Sequence, residues 1–231
     1  MYATIISIKS PQENIRVLRL VPADRMEFLA GQYIHIRFNG FQLRPYSIAS
    51  APHLDYLDIH IKSNGGEVGE FIMNSLYTGD VIEIDGPFGD MTFSHIADQD
   101  TQQAAPLILI AGGLGITPIK SIIDTAMAHR YAGALHLYWG TDKIEEQYLA
   151  EYFKTLESHN DNFSFHGVYG TAIGAYAAEH IGNLDTNNAQ NLTQFYLAGP
   201  PPMITDTVNR LQEIGAKPHH IHYDSYVPPM Q

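Results

Sequence analysis

The chain has 231 residues, 45% of them hydrophobic, which is enough to bury one large core or two of ordinary size. It carries 13 basic and 25 acidic residues, and the formal net charge of −12 disfavours nucleic acid and anionic membrane surfaces as partners. There is no cysteine, which excludes disulfides, thiolate-held iron–sulfur clusters and a cysteine nucleophile within this sequence.

The first ninety or so residues read as short strands separated by turns. Segments rich in β-branched and aromatic residues predict strands at 15–21, 33–38, 56–62 and 81–85. A helix is predicted at about 67–77, after a pair of glycines. Strands this close together predict an antiparallel barrel or sandwich.

The pattern changes after residues 98–104 (DQDTQQA), which are polar and aperiodic, as in a linker. Apolar runs predict strands at 107–111, 135–139, 163–169 and 194–198, with a fifth candidate at 220–224. A helix-like stretch follows the first of these strands, and a second lies near 143–157. Buried strands that alternate with helices predict a parallel sheet. The predicted organisation is therefore a β-domain at 1–98 followed by an α/β-domain at 106–231.

Two glycine turns follow predicted strands of the second half. The first, GGLGITP (112–118), leads into a helix that Thr117 can cap and whose first turn suits Pro118. The second lies in YLAGPPPMI (196–204). Either turn alone could be an ordinary strand-to-helix turn with no ligand-binding role. Both, however, would lie at the carboxyl ends of parallel strands, where helix N-termini offer N–H groups to anions, so the pair predicts a dinucleotide site.

Five motifs occur in the order typical of the ferredoxin–NADP⁺ reductase-like flavoproteins. They are Arg44-Pro45-Tyr46-Ser47, GGEVG at 65–69, GPFG at 86–89, GGLGITP at 112–118 and GPPPM at 199–203. The chain resembles this family over residues 3 to 226, and is most similar to its NAD(P)H–flavin reductases and oxygenase reductase components. The resemblance implies a β + α/β fold: an N-terminal antiparallel Greek-key β-barrel that binds flavin, followed by a parallel-sheet nucleotide-binding domain.

The resemblance also implies a flavin site in the first domain. Arg44 would bind a flavin phosphate, Tyr46 would cover the ring system or the ribityl chain, and Ser47 would lie near N5. The other implied flavin-binding residues are Pro45, His60, Ile61, Lys62, Gly66, Val68, Gly69 and Tyr226. Because the family usually has Ser or Thr at position 69, Gly69 removes one hydrogen bond, about 0.5–1.5 kcal/mol. The C-terminal segment HYDSYVPPMQ resembles that of oxygenase reductases, which implies that Asp224 and Tyr226 lie near the flavin. The alternative interpretation of this segment is a final strand followed by a frayed tail.

The implied reaction is hydride transfer from nicotinamide C4 to flavin N5, with Ser47, Tyr46 and Thr117 at the catalytic positions. The implied NAD(P)-binding residues are Gly112, Gly113, Gly115, Thr117, Pro118, Thr141, Asp142, Ala198, Gly199, Pro200, Pro201 and Met203. Ala198 stands where the family often has cysteine. Asp142 disfavours a 2′-phosphate, so NADH is expected to be preferred over NADPH, although Lys143 weakens this expectation. The loop at 169–176 lacks the family's usual aromatic-x-G-x-x-G pattern.

Three functions remain open at this point. The leading hypothesis is an NAD(P)H-dependent flavin reductase that reduces bound FAD, or FMN or riboflavin as an exchangeable flavin, and passes the electrons on. The alternative is an electron-transfer reductase for a protein partner such as an oxygenase or a separate ferredoxin, although a net charge of −12 would repel an acidic ferredoxin. A third hypothesis is a flavin- or nucleotide-binding subunit without activity.

Neither a metal nor a membrane partner is predicted. His219, His220 and His222 cluster, but without cysteine or a well-spaced carboxylate they favour a strand end over a metal site. No apolar run approaches the roughly 20 residues of a membrane helix. The N-terminus alternates like a strand rather than a signal peptide, so a cytoplasmic location is expected.

Overall fold

The structure, a computed structural model, describes residues 1–93, 104–183 and 192–225, and the chain divides into two compact units. All but the last residue of the predicted linker at 98–104 lies outside the described residues. None of the described helices is both long and apolar enough to cross a membrane.

The first unit is built on six antiparallel strands, in the order β4-β3-β6-β1-β2-β5. They are β1 (Tyr2–Gln12), β2 (Ile15–Pro22), β3 (Tyr33–Arg37), β4 (Arg44–Ser47), β5 (Leu57–Lys62) and β6 (Val81–Phe88). The two end strands meet at an antiparallel bridge between Ile48 and Ile59, which closes the sheet on itself. The predicted antiparallel barrel is confirmed.

The barrel core follows from strand alternation. On β3, Ile34 and Ile36 are fully buried, while the residues between them face the other side of the sheet. Equivalent positions on the neighbouring strands, including Ile5, Leu18 and Ile84, complete an aliphatic interior. Burial of such side chains stabilises the barrel by about 1.5–3 kcal/mol each.

One helix, α1 (Gly66–Asn74), interrupts the strands and ends earlier than the 67–77 that the sequence predicts. The difference has a local cause. The Asp80 carboxylate accepts a hydrogen bond of 2.8 Å from the Tyr77 N–H, and the Asp80 N–H donates to the Tyr77 carbonyl at 3.1 Å. Residues 77–80 therefore form a turn in place of a last helical turn.

The second unit is a five-stranded parallel sheet in the order β11-β10-β7-β8-β9, with helices between the strands. Its strands are β7 (Leu107–Gly112), β8 (Leu135–Thr141), β9 (Phe163–Tyr169), β10 (Gln194–Gly199) and β11 (Ile221–Ser225), and its helices are α2 (Ile116–Ala128), α3 (Ala150–His159), α4 (Ile173–Asn183) and α5 (Pro201–Glu213). All five predicted strands are present, so the predicted α/β fold is confirmed.

Two helical segments differ from the sequence prediction. The stretch 143–157 is not one helix but a 3₁₀ turn at Ile144–Glu146 followed by α3. Between the two elements, the side chain of Gln147 donates hydrogen bonds to the carbonyls of Trp139 and Val168, at 2.9 and 3.2 Å, and so separates them. Helix α4 begins at Ile173, inside the stretch 169–176 that the sequence analysis treats as a loop.

His60 on β5 makes the stability of the barrel sensitive to acid. Burial lowers the pKa of His60 from 6.5 to about 3. The unfolded chain therefore takes up a proton below pH 6.5, while the folded chain does so only near pH 3. Stability is complete above pH 6.5 and is lost progressively as the pH falls towards 3.

We predict that His60→Gln reduces the loss of unfolding free energy between pH 7 and pH 4.5 by roughly 2 kcal/mol. Urea unfolding at a series of pH values measures this difference. His53→Gln, at an exposed position of the same unit, is the control and should leave the pH dependence unchanged. Equal slopes for the wild type and His60→Gln would contradict the prediction.

Candidate functional site

The polar strand β4 lies at one end of the barrel sheet, and all four of its residues are half-buried. It pairs with β3 so that Tyr46 lies opposite the buried Ile34 and Ser47 opposite Tyr33. The ring of Tyr46 meets Phe38 edge-on, with centroids 5.9 Å apart. Alternation therefore places Arg44 and Tyr46 on one face of the strand and Pro45 and Ser47 on the other.

Arg44 differs from two other arginines of the barrel strands. The guanidinium of Arg19 pairs with Asp58 at 2.8 Å and that of Arg37 with Glu83 at 2.8 Å. Within the described chain, the side chain of Arg44 has no hydrogen bond or ion pair. A half-buried cation without a counter-ion fits an anionic ligand.

The end strands β4 and β5 pair with each other only over a short stretch, and the space between them beyond that stretch is called the barrel opening below. They meet where Ile48 bridges Ile59 and where the Ala49 N–H donates to the Asp58 carbonyl at 2.8 Å. On one side of this bridge lie 44–47 of β4 and 60–62 of β5. The predicted residues Arg44 to Ser47 and His60 to Lys62 thus border the same opening, whereas Tyr226 lies outside the described residues.

Helix α1 starts directly after this opening with two glycines. Gly65 and Gly66 have φ angles of 87° and 78°, a region that favours glycine, and the space next to both is open. The buried side chain of Val68 anchors the first turn in the barrel core. The start of the helix has no side-chain cap hydrogen bond and open space beside its glycines, which leaves room for an anion at this helix N-terminus.

In the second unit the two glycine turns pack directly on each other. A Cβ at Gly115 would overlap the carbonyl group of Ala198, and one at Gly112 would overlap the sulfur of Met203. Gly113, with φ 54°, has open space beside it. Close approach of the Ala198 backbone thus accounts for Gly115 and the Met203 side chain for Gly112, whereas Gly113 faces open space.

Thr117 does not cap α2. The helix begins one residue earlier, at Ile116, and the Thr117 hydroxyl, which is buried, donates to the Leu114 carbonyl at 2.9 Å. Pro118 lies in the first turn, as predicted. The turn is held from the other side by the indole N–H of Trp139, which donates to the Gly113 carbonyl at 2.9 Å.

The end of β8 carries an acidic turn. The Thr141 hydroxyl donates to the Lys143 carbonyl at 2.8 Å. The Glu146 carboxylate accepts hydrogen bonds from the N–H groups of Asp142 and Lys143, at 3.2 and 3.4 Å. The turn therefore holds the carboxylate of Glu146 close to the backbone of Asp142, at the carboxyl edge of the sheet.

β11 brings a carboxyl group to the second glycine turn. Asp224 lies beside Ala198 in the parallel pairing, and burial raises the pKa of Asp224. The ring of His222 stacks on Tyr196 and lies 2.9 Å from the Gln194 side-chain oxygen, so this histidine packs on the strand. Pro200 precedes α5, and Pro201 begins it.

Comparison with known proteins agrees with this architecture. Residues 3–93 match the oxidoreductase FAD-binding domain family and residues 109–209 the oxidoreductase NAD-binding domain family. The chain is 30% identical to the CDP-6-deoxy-L-threo-D-glycero-4-hexulose-3-dehydrase reductase of Yersinia pseudotuberculosis, over 96% of this chain and 67% of that protein. It is 28% identical to the reductase component of the naphthalene 1,2-dioxygenase system of Pseudomonas putida, over 97% of this chain and 68% of that protein.

Among solved structures, a ferredoxin–NADP⁺ reductase from Neisseria gonorrhoeae with bound FAD and NADP has the same fold. The TM-score is 0.81 at 20% identity, and the match covers 97% of this chain and 98% of that one.

A barrel that matches an FAD-binding domain, followed by a sheet that matches an NAD-binding domain, defines an NAD(P)H-dependent flavoprotein oxidoreductase. The chain belongs to the ferredoxin–NADP⁺ reductase-like family of such enzymes. The family expected from the five motifs is thereby confirmed.

Sequence analysis missed several residues that shape these sites. Ser63 precedes the glycine pair, and Glu146 stands three residues after Lys143, the spacing of a capping box. Both signals are visible in the sequence. The contacts of Gln147 and Trp139, by contrast, join segments that only the fold brings together.

We predict different effects for two glycine substitutions in the first turn of the second unit. Gly115→Ala should lower the free energy of unfolding by at least about 2 kcal/mol, because the new methyl group meets a backbone carbonyl. Gly113→Ala should cost only about 1 kcal/mol, the penalty of a left-handed backbone, because its surroundings are open. Urea unfolding followed by far-UV circular dichroism measures both. Equal losses would show that close packing does not distinguish the two glycines.

Proposed function

We propose that the chain is an NADH-dependent reductase that keeps FAD bound and passes its electrons to a redox-active protein partner. The observation that carries the proposal is Arg44, a half-buried cation that borders the barrel opening and has no counter-ion within the described chain. A site with a fixed charge for phosphate favours a phosphorylated flavin that stays bound over riboflavin that exchanges.

The flavin-binding residues hold and orient the flavin. Arg44 binds the flavin phosphate, together with the N–H groups that follow Gly66. Tyr46 packs along the ring system, and Ser47, on the other face of the strand, hydrogen-bonds a ring edge. When bound, FAD supplies the atom that accepts the hydride and can release the electrons one at a time.

The nicotinamide-binding residues act through the two glycine turns. The outward-facing N–H groups near Gly113 and the start of α5 after Pro200 bind the pyrophosphate. The Thr117 hydroxyl fixes the first turn through its hydrogen bond to the Leu114 carbonyl and makes no direct chemical contribution. The nicotinamide ring is proposed to lie near the end of β10, where Ala198 pairs with Asp224.

The protein partner is proposed from the relatives. The Pseudomonas protein is described as the ferredoxin–NAD(P)⁺ reductase component of a dioxygenase system, and its match covers almost the whole of this chain. An iron–sulfur protein is therefore the class of acceptor we favour. The second candidate function, reduction of free flavin, is favoured by Gly69, which lacks the hydroxyl that usually holds the flavin phosphate.

We predict that the purified protein carries FAD and oxidises NADH with ferricyanide at a rate that added riboflavin does not raise. A ferredoxin with a [2Fe–2S] cluster should be reduced by the same preparation without free flavin. Absorbance at 450 nm and stopped-flow spectra measure both. A colourless protein whose NADH oxidation rises in proportion to added riboflavin or FMN would favour the second candidate instead.

The preference for NADH is supported by the acidic turn after β8. A 2′-phosphate at this edge of the sheet would meet the negative charges of Asp142 and Glu146, whereas ribose hydroxyls could donate to them. Lys143 brings a single positive charge to this turn, against the two carboxylates of Asp142 and Glu146.

We predict that Asp142→Ala raises kcat/KM for NADPH relative to NADH by about tenfold, because it removes a like charge from the path of the 2′-phosphate. Asp161→Ala is the matched control, since Asp161 is exposed and precedes β9, at the opposite edge of the sheet. Steady-state kinetics with both nucleotides measure the ratio. An unchanged ratio for Asp142→Ala would contradict the role of this turn.

A further inference from the structure

We propose that Ser63 supplies the hydroxyl that binds the flavin phosphate in place of the side chain missing at Gly69. The inference rests on the proposed position of that phosphate, between Arg44 and the start of α1. It concerns a residue outside the five motifs, and three observations carry it.

The first observation is the space that the hydroxyl fills. A Cβ built on Gly69 would lie 2.5 Å from the Ser63 Oγ and 3.5 Å from the Ser63 Cβ. The Ser63 hydroxyl therefore occupies the volume that a serine or threonine side chain at position 69 would need. The two positions compete for one place, and in this chain residue 63 fills it.

The second observation is the register of the barrel's end strands. Ile48 bridges Ile59, and Ala49 bonds Asp58 in the same antiparallel register. Four residues back from Ile48 is Arg44, and four residues on from Ile59 is Ser63. Counted in this register, Arg44 and Ser63 hold matching positions on the two end strands beyond the bridge, and the phosphate is proposed to lie between them.

The third observation is the direction of the hydrogen bonds. The Ser63 Oγ accepts a hydrogen bond of 3.2 Å from the Gly65 N–H. In the described part of the chain it donates none, so its proton is available to an acceptor. Accepting from Gly65 also fixes the hydroxyl beside the free N–H groups at the start of α1, which gives a phosphate oxygen several donors at once.

Binding of three flavins to the apoprotein tests the proposal. FAD and FMN carry the phosphate and riboflavin does not, and quenching of flavin fluorescence gives all three dissociation constants. Ser63→Ala should weaken FAD and FMN about tenfold and change riboflavin less than twofold. An equal loss for all three flavins, or no loss for any, would overturn the proposal.

Moving the hydroxyl from position 63 to position 69 tests whether Ser63 contacts the phosphate directly or only shapes the turn before α1. Gly69→Ser alone should not improve binding, because its side chain meets the Ser63 hydroxyl. In Ser63→Ala/Gly69→Ser the serine at 69 has ordinary contact distance to the remaining Cβ and should bring FAD affinity to within about threefold of wild type. If Ser63 only shapes the turn through the Gly65 N–H, the double variant stays as weak as Ser63→Ala, which overturns the proposal.

Two further variants serve as controls. Ser10→Ala removes a hydroxyl from an exposed position of β1 and should change no flavin affinity. Arg44→Ala should weaken FAD and FMN in every background. If Arg44→Ala leaves FAD binding unchanged, the proposed phosphate position is wrong. If it weakens binding while Ser63→Ala does not, only the role of Ser63 is wrong.

Discussion

Binding a phosphate requires donors that the protein leaves unsatisfied, and this requirement shapes both units. Buried or half-buried polar groups normally find partners. Here Arg44 has none within the described chain, and α1 begins at two glycines without a side-chain cap hydrogen bond. In a chain with a net charge of −12, a half-buried arginine without a counter-ion is therefore an unusual feature.

The same constraint explains why the glycines are not equivalent. Gly112 and Gly115 allow two turns of the parallel sheet to touch, so that the starts of α2 and α5 come together at the same edge of the sheet. Gly113, by contrast, is not closely packed, since nothing occupies the space beside it. Close packing thus accounts for two glycines of this short motif but not for the third.

Much of the fold could be predicted from the sequence, because strand alternation and turn residues are local signals. The barrel strands and the five parallel strands were visible as periodic or continuous apolar runs. Helix α4 was missed although Ile173, Ala177 and Ile181 repeat at helical spacing and are all buried, since two glycines nearby resembled a loop. The capping role expected of Thr117 was wrong, because the 3₁₀ turn that precedes α2 offers its hydroxyl a carbonyl instead.

The sites were harder to predict, because they depend on contacts between distant segments. Motif order pointed to Arg44 and the glycine turns, yet position 69 read as a lost hydrogen bond. Only the three-dimensional structure shows that Ser63 fills the space next to Gly69. A hydroxyl from a residue six positions earlier in the chain thus stands where a side chain at position 69 would lie.

Trp139 has a consequence for observing the molecule. It is the only tryptophan among the 231 residues, it is fully buried, and its indole N–H holds the carbonyl of Gly113. Indole emission excited at 295 nm therefore originates from a single point in the protein, one hydrogen bond away from the first glycine turn of the second unit. The chain carries its own optical reporter of that turn, without any label.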